Sequence, residues 1–191
     1  MDAEQSLSGL TVNRLLEEVA ARTPAPGGGA VAAFAAALAA GLTGMAARID
    51  DHQQVSAARA DELRAAATAL ADADVAAHRA YWLATHTPRE DDPWMWPSRL
   101  REAFDDTVDV PLEVVRVAEQ VTLLAAALAS GGEPRRRGNA VAAALLAAAA
   151  ANAAALLVAE NLAGDPEDVR AGCALGLAAA ARRCADGLVS A

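Results

Sequence analysis

Apolar side chains along this chain recur every three to four residues, the period of a helix buried on one side. No run of β-branched and aromatic residues alternates as a half-buried strand would. Between Thr11 and Ala21, Leu15, Leu16 and Val19 share a face behind a threonine suited to cap a helix, so the first helix is expected there. Val31, Phe34, Leu38, Leu42, Met45 and Ile49 then form a continuous seam and predict a second helix from Gly28 to Ile49. Beside it, Gly28, Ala32, Ala36, Ala40 and Gly44 make a row of small residues that admits a neighbouring backbone, which predicts a buried central helix. A more polar third helix is expected from Val55 to Thr85. Thr87 to Pro97 breaks the pattern with three prolines, and its Trp94 and Trp96 predict a loop packed against the body. The fourth helix is expected from Ser98 to Ala129, kinked or split by Pro111 near Val110. Gly131 to Gly138 reads as a loop and Asn139 to Leu162 as the fifth helix. Gly164, Asp165 and Pro166 then read as stop, cap and first position of a sixth helix that reaches Gly187. The whole pattern predicts an all-α protein: a single up-and-down bundle of about six helices, one domain over residues 1–191, with an Ala/Gly-rich helix at its centre.

Composition sharpens this picture. The chain is 54% hydrophobic but only 3% aromatic, and alanine, the best helix former, supplies most of the apolar share. Helices packed through such small side chains must lie close together. A net charge of −9 without a clustered basic face argues against nucleic acid as a partner. Residues 23–47 and 138–159 carry no charge and are long enough to span a membrane. They are alanine and glycine rather than leucine and phenylalanine, and the second holds Asn139 and Asn152, so helices buried in a bundle explain them better and no membrane is expected. Met1 to Gln5 lacks the basic start of a signal peptide, which points to a cytoplasmic protein. Cys173 and Cys184, eleven residues apart on the row Val169, Cys173, Leu177, Cys184 and Leu188, read as core thiols.

The chemistry centres on Thr23-Pro24-Ala25-Pro26-Gly27-Gly28-Gly29-Ala30. Two prolines keep any helix from running through the segment, and three glycines bare the first N–H groups of the helix that follows. Such an entry is either a plain turn or a site for an anion, a carbonyl or an aromatic edge. Asp74 and His78, four apart, meet on one helical face and form either a solvated pair or an acid–base pair working near neutral pH. Asn152 interrupts an apolar row and reads as a register-fixing residue or a ligand contact. Arg135 to Arg137 read as a solvated loop or as a seat for an anionic tail. Asp50, Asp51 and His52 splay apart at a helix end and no third ligand stands at a suitable spacing, so no metal is expected.

Leu15-Leu16-Glu17-Glu18-Val19-Ala20-Ala21-Arg22, continuing into Thr23-Pro24-Ala25-Pro26-Gly27-Gly28-Gly29, resembles the opening of the formiminotransferase-cyclodeaminase C-terminal domain family. Leu70-Ala71-Asp72-Ala73-Asp74, Val110-Pro111-Leu112-Glu113-Val114, Ala143 to Leu146 and Asn161-Leu162 extend the resemblance over nearly the whole chain. It implies an all-helical homodimer binding a tetrahydrofolate derivative, with Pro24, Pro26, Gly27, Gly28, Gly29, Glu113 and Asn139 in the binding site and Asp74 and His78 as the proton carriers. The implied reaction is on a C–N bond of the one-carbon adduct, by a methenyltetrahydrofolate cyclohydrolase or a formiminotetrahydrofolate cyclodeaminase, with no metal or nucleotide cofactor. Departures accompany it: His78 replaces the family's phenylalanine, Gly138-Asn139 its Ser-Asp pair, and Leu157 an asparagine of the ligand site. Losing that aspartate motivates an alternative, a folate-binding homologue without turnover, or a purely structural helical dimer.

Overall fold

The structure is a computed structural model and describes residues 6–22, 26–87, 94–131 and 133–190. Among the described residues there are six α-helices: α1 (Val12–Ala20), α2 (Gly28–Ala47), α3 (Gln54–His86), α4 (Trp96–Ser130), α5 (Pro134–Asn161) and α6 (Val169–Val189). No strand occurs among the described residues. Contacts at opposite ends of each pair fix an up-and-down course. Ala30 bonds Asp74 while Gly44 approaches Ala60. Tyr81 packs on Phe104 while Arg59 bonds Gln120. Asn161 bonds Thr107 while Arg136 bonds the Leu128 carbonyl.

Alanine makes the core. Ala33, Ala36 and Ala40 of α2, Ala67 and Ala71 of α3, Ala118 and Ala125 of α4, and Ala147, Ala151 and Ala154 of α5 are wholly buried, joined by Val108, Val115, Val121 and Val158. Small side chains bring the backbones close, so dispersion contacts between helices replace the bulk of large side chains. The consequence on α2 reverses an expectation: its alanine side faces the bundle, whereas Val31, Leu38, Met45 and Ile49 of the predicted seam lie exposed, Leu38 at 69%. Close packing selects the small row, and the large row is left outside. The same rule turns α6: Ala174, Ala178, Ala181 and Ala185 are buried, Cys173 is exposed and Cys184 half-buried, so neither thiol sits in the core.

Pro111 does not split α4, which is continuous from Trp96 to Ser130. Proline lacks the N–H that would bond the carbonyl four residues back, here that of Thr107. That oxygen instead accepts a hydrogen bond from Asn161 Nδ2 at 2.8 Å, across from the end of α5. Helix α5 begins at Pro134 rather than Asn139, because Glu133 caps it by accepting the Arg135 N–H and proline suits the first position. Asp168, not Asp165, caps α6: its carboxylate accepts both the Arg170 N–H and the Arg170 guanidinium, which also reaches Asp105 and Asp109 on α4. Trp94 does not pack and is 91% exposed, since it precedes α4 at the open end of the bundle; half-buried Trp96 donates its indole N–H to the Thr87 carbonyl.

The arginine run is divided in its roles. Arg136 is buried at 3% exposure and donates to Asp50 at 2.8 Å and to the Leu128 and Gly131 carbonyls, pinning the far end of α2 to the turn between α4 and α5. Asp50 is held below the usual carboxylate range by the His52 N–H and by Arg136. Arg137 bonds the Leu188 carbonyl and Arg135 is exposed. Both α2 and α5 have the length and apolarity to cross a membrane, with mean hydropathy of 1.8 and 2.2, but half or more of each apolar window is packed inside the bundle.

Candidate functional site

Helix α2 starts without a side chain to cap it. Gly27 at its cap position is extended and offers no side-chain oxygen, so the unpaired N–H groups of the first turn need acceptors from elsewhere. One comes from a residue 44 positions away: Asp74 Oδ2, buried on α3, accepts the Ala30 N–H at 2.9 Å. The positive end of the α2 dipole favours a carboxylate at this point.

The fit depends on Gly29. A Cβ built there would stand 1.9 Å from Asp74 Oδ1 and 2.6 Å from Cγ, so the carboxylate occupies the space a side chain would take. On the neighbouring side, a Cβ on Gly28 would meet Leu157 Cδ1 of α5 at 3.4 Å, an ordinary contact. Pro26 is buried and Gly27 half-buried at the entry. Pro24 lies outside the described residues.

Asp74 is 1% exposed. Burial raises its carboxyl above the ordinary value, and His78 and the Ala30 N–H oppose the rise without cancelling it. His78 sits one turn further along α3, its Nδ1 3.7 Å from Asp74 Oδ2 and its side chain 40% exposed. The same Nδ1 lies 2.9 Å from the Asp74 main-chain carbonyl. A carbonyl oxygen only accepts, so Nδ1 donates to it, which leaves Nε2 as the ring nitrogen free of that bond. The pair therefore sets a buried carboxyl beside a half-exposed imidazole one turn away.

The other residues expected at the site are dispersed in this chain. Glu113 is exposed on α4 and ion-paired with Arg116. Asn139 is half-buried in the second turn of α5, eighteen residues before Leu157, so it stands about 27 Å along the helix axis from the Gly28 contact. Asn152 donates to the Ala148 carbonyl of its own helix, spanning no helix interface. Spacing alone missed the Ala30 N–H as the partner of Asp74; the signal was a helix opening on glycine, whose donors have no local cap. The N-terminal turn is anchored on the same stretch of α3: Asp72 accepts the Leu7 N–H at 2.8 Å and the Ser6 hydroxyl at 2.6 Å, and Leu7 is buried.

The family profile described as formiminotransferase-cyclodeaminase matches residues 11–171. Among solved structures, the fold is similar to that of formiminotetrahydrofolate cyclodeaminase from Thermotoga maritima, with a TM-score of 0.79 and 22% identity over 95% of this chain and 93% of that one. At that identity the likeness is one of fold. No curated protein matches the sequence significantly.

Proposed function

The chain belongs to the formiminotransferase-cyclodeaminase family, and from that premise we propose that it binds a tetrahydrofolate derivative at the N-terminus of α2 and acts on a C–N bond of its one-carbon adduct. The observation that carries this reading is the buried Asp74 carboxyl, bound to Ala30 N–H over Gly29 with His78 one turn away. The helix entry at Gly27, Gly28 and Gly29, approached through buried Pro26, supplies amide donors for a carbonyl of the ligand.

Two reactions of one chemical kind suit the pair. As a cyclohydrolase, water adds to the amidinium carbon of a 5,10-methenyl folate while Asp74 takes its proton. The tetrahedral carbon then collapses, the C–N5 bond breaks with a proton returned to N5, and the 10-formyl folate leaves. As a cyclodeaminase, N10 attacks the formimino carbon, its proton passes through the carboxyl to the exocyclic nitrogen, and ammonia departs. A carboxyl raised by burial suits both halves, since it accepts a proton on addition and gives one back on collapse. In this reading half-exposed His78, one turn from the carboxyl, passes the released proton on to solvent.

The working form is a cytoplasmic homodimer in this reading. Its support is the uncharged seam Val31, Phe34, Leu38, Leu42, Met45 and Ile49 on the outer side of α2, of which Val31, Leu38, Met45 and Ile49 are exposed and Phe34 and Leu42 half-buried. An apolar stripe of that length marks an interface, and a two-fold pairing of the stripe with itself covers it without unpaired charge. Glu113 and Asn139 keep a substrate-binding role in the proposal only if a second subunit brings them to the site.

A second reading, folate binding without turnover, is favoured by Asn139, an amide that cannot carry a proton where the family has aspartate. The decay of 5,10-methenyltetrahydrofolate absorbance, with ammonia release from 5-formiminotetrahydrofolate in parallel, separates the readings. A rate above buffer in either assay that Asp74→Asn removes supports the enzyme. Calorimetric binding with neither rate supports the second reading, and no folate binding at all leaves a structural helical dimer.

A further inference from the structure

The inward row of α3 changes character at Asp74. Ala60, Leu63, Ala67 and Ala71 below it are buried, and the same three-four spacing continues into His78, Tyr81 and Thr85, which are not. The cause is geometric. The Ala30–Asp74 hydrogen bond sets the first turn of α2 level with Asp74, while α3 runs on twelve residues to His86, about 18 Å. Over that length α3 has no α2 opposite it, and on this row His78 is half-buried while Tyr81 and Thr85 are exposed. Tyr81 stands there two turns beyond Asp74, 37% exposed. Its ring is braced by Phe104 of α4, which packs against the core, with centroids 6.1 Å apart and a 55° tilt. In a chain with 3% aromatic residues, Tyr81 is the one aromatic ring on a row otherwise made of alanine, leucine, aspartate, histidine and threonine.

We propose that Tyr81, held by Phe104, is a binding residue that stacks on the aminobenzoyl ring of the folate whose reacting carbon lies at Asp74 and His78. The proposal rests on the folate reading above and adds to it which part of the ligand this residue recognises. The aminobenzoyl ring is flat and fully aromatic, whereas the reacting ring of a reduced pterin is puckered, so the former suits an aromatic wall. Asp74, His78 and Tyr81 stand at i, i+4 and i+7, one helical stripe about 10 Å long, which leads from the carboxyl to the ring.

Wild type, Tyr81→Phe and Tyr81→Ala are to be titrated calorimetrically with 5-formyltetrahydrofolate and with 6-methyltetrahydropterin, which lacks the aminobenzoyl ring. Tyr81→Ala is expected to weaken the full folate roughly three- to tenfold and leave the bare pterin unchanged, and Tyr81→Phe to bind both as wild type does. Equal losses on both ligands, no loss on either, or conversion of the alanine variant from dimer to monomer in light scattering overturns the assignment while leaving folate binding in place. A wild type that binds no folate overturns the folate reading and this one with it. Thermal unfolding of the variants confirms that the half-exposed ring is not required for folding.

Discussion

Replacing Gly29 by alanine tests the geometry of the site more directly than any change to the carboxyl itself. The added methyl would stand 1.9 Å from Asp74 Oδ1 and 2.9 Å from Oδ2, about 1 Å inside the 3.0 Å limit of real contacts at the nearer oxygen. The carboxylate cannot swing away freely, because Oδ2 holds the Ala30 N–H at 2.9 Å in a buried place. Breaking that bond costs about 1.5–3 kcal/mol, and forcing a methyl into packed space about 1–3 kcal/mol. Alanine returns about 1 kcal/mol of helix propensity. The net is a loss of about 1.5–5 kcal/mol, a large share of the stability of a typical domain. Urea unfolding followed by circular dichroism is expected to show the midpoint falling by about 1–2 M. Gly176→Ala is the control: nothing stands within 4 Å of its added methyl, so propensity alone operates and the variant gains about 0.5–1 kcal/mol. Adding Asp74→Ala to Gly29→Ala removes the clash, so the double variant recovers part of the loss. A Gly29→Ala protein as stable as the Gly176→Ala control refutes the account.

Asp74→Asn is expected to behave differently in stability and in activity. Because burial raises the native carboxyl above its unfolded value of 3.8, the folded protein binds more protons than the unfolded chain as pH climbs from there, and wild-type stability falls until the native group has ionised. The asparagine variant lacks that fall, so its stability relative to wild type rises with pH above about 4; parallel curves in pH-dependent urea melts contradict this. Asn161→Ala leaves the Thr107 carbonyl without a donor and is expected to cost about 1–3 kcal/mol. Made in a Pro111→Ala background, where residue 111 regains its N–H, the same change costs much less, and a double-mutant cycle with no coupling rules the compensation out. Leu38→Glu places a charge in the middle of the exposed α2 seam and is expected to convert a dimer to a folded monomer in light scattering; an unchanged mass would move the interface elsewhere.

The helices, their order and the all-α class were legible because a period of three to four needs only local information, and alanine-rich segments leave few alternatives. So was the Pro-Gly entry, since proline and glycine act on the backbone where they stand. Helix ends were less legible. Glu133 and Asp168 compete as caps with residues a few positions away, and hydrogen bonds rather than residue type decide between them. Which face of α2 turns inward was legible only in part: the small row was expected to meet a neighbour and does, but nothing local showed that the large seam would lie outside. A large seam and a small row lie side by side in the sequence, and only the distance between helices selects the small one. Continuity through Pro111 likewise depends on Asn161, fifty positions on in a different helix. The central case is Asp74. The sequence by itself placed it one turn from His78 and placed three glycines at the start of α2. Tertiary structure alone brought the two together, because the carboxylate fills the volume that Gly29 leaves empty, and a contact between residues 45 apart has no local signature.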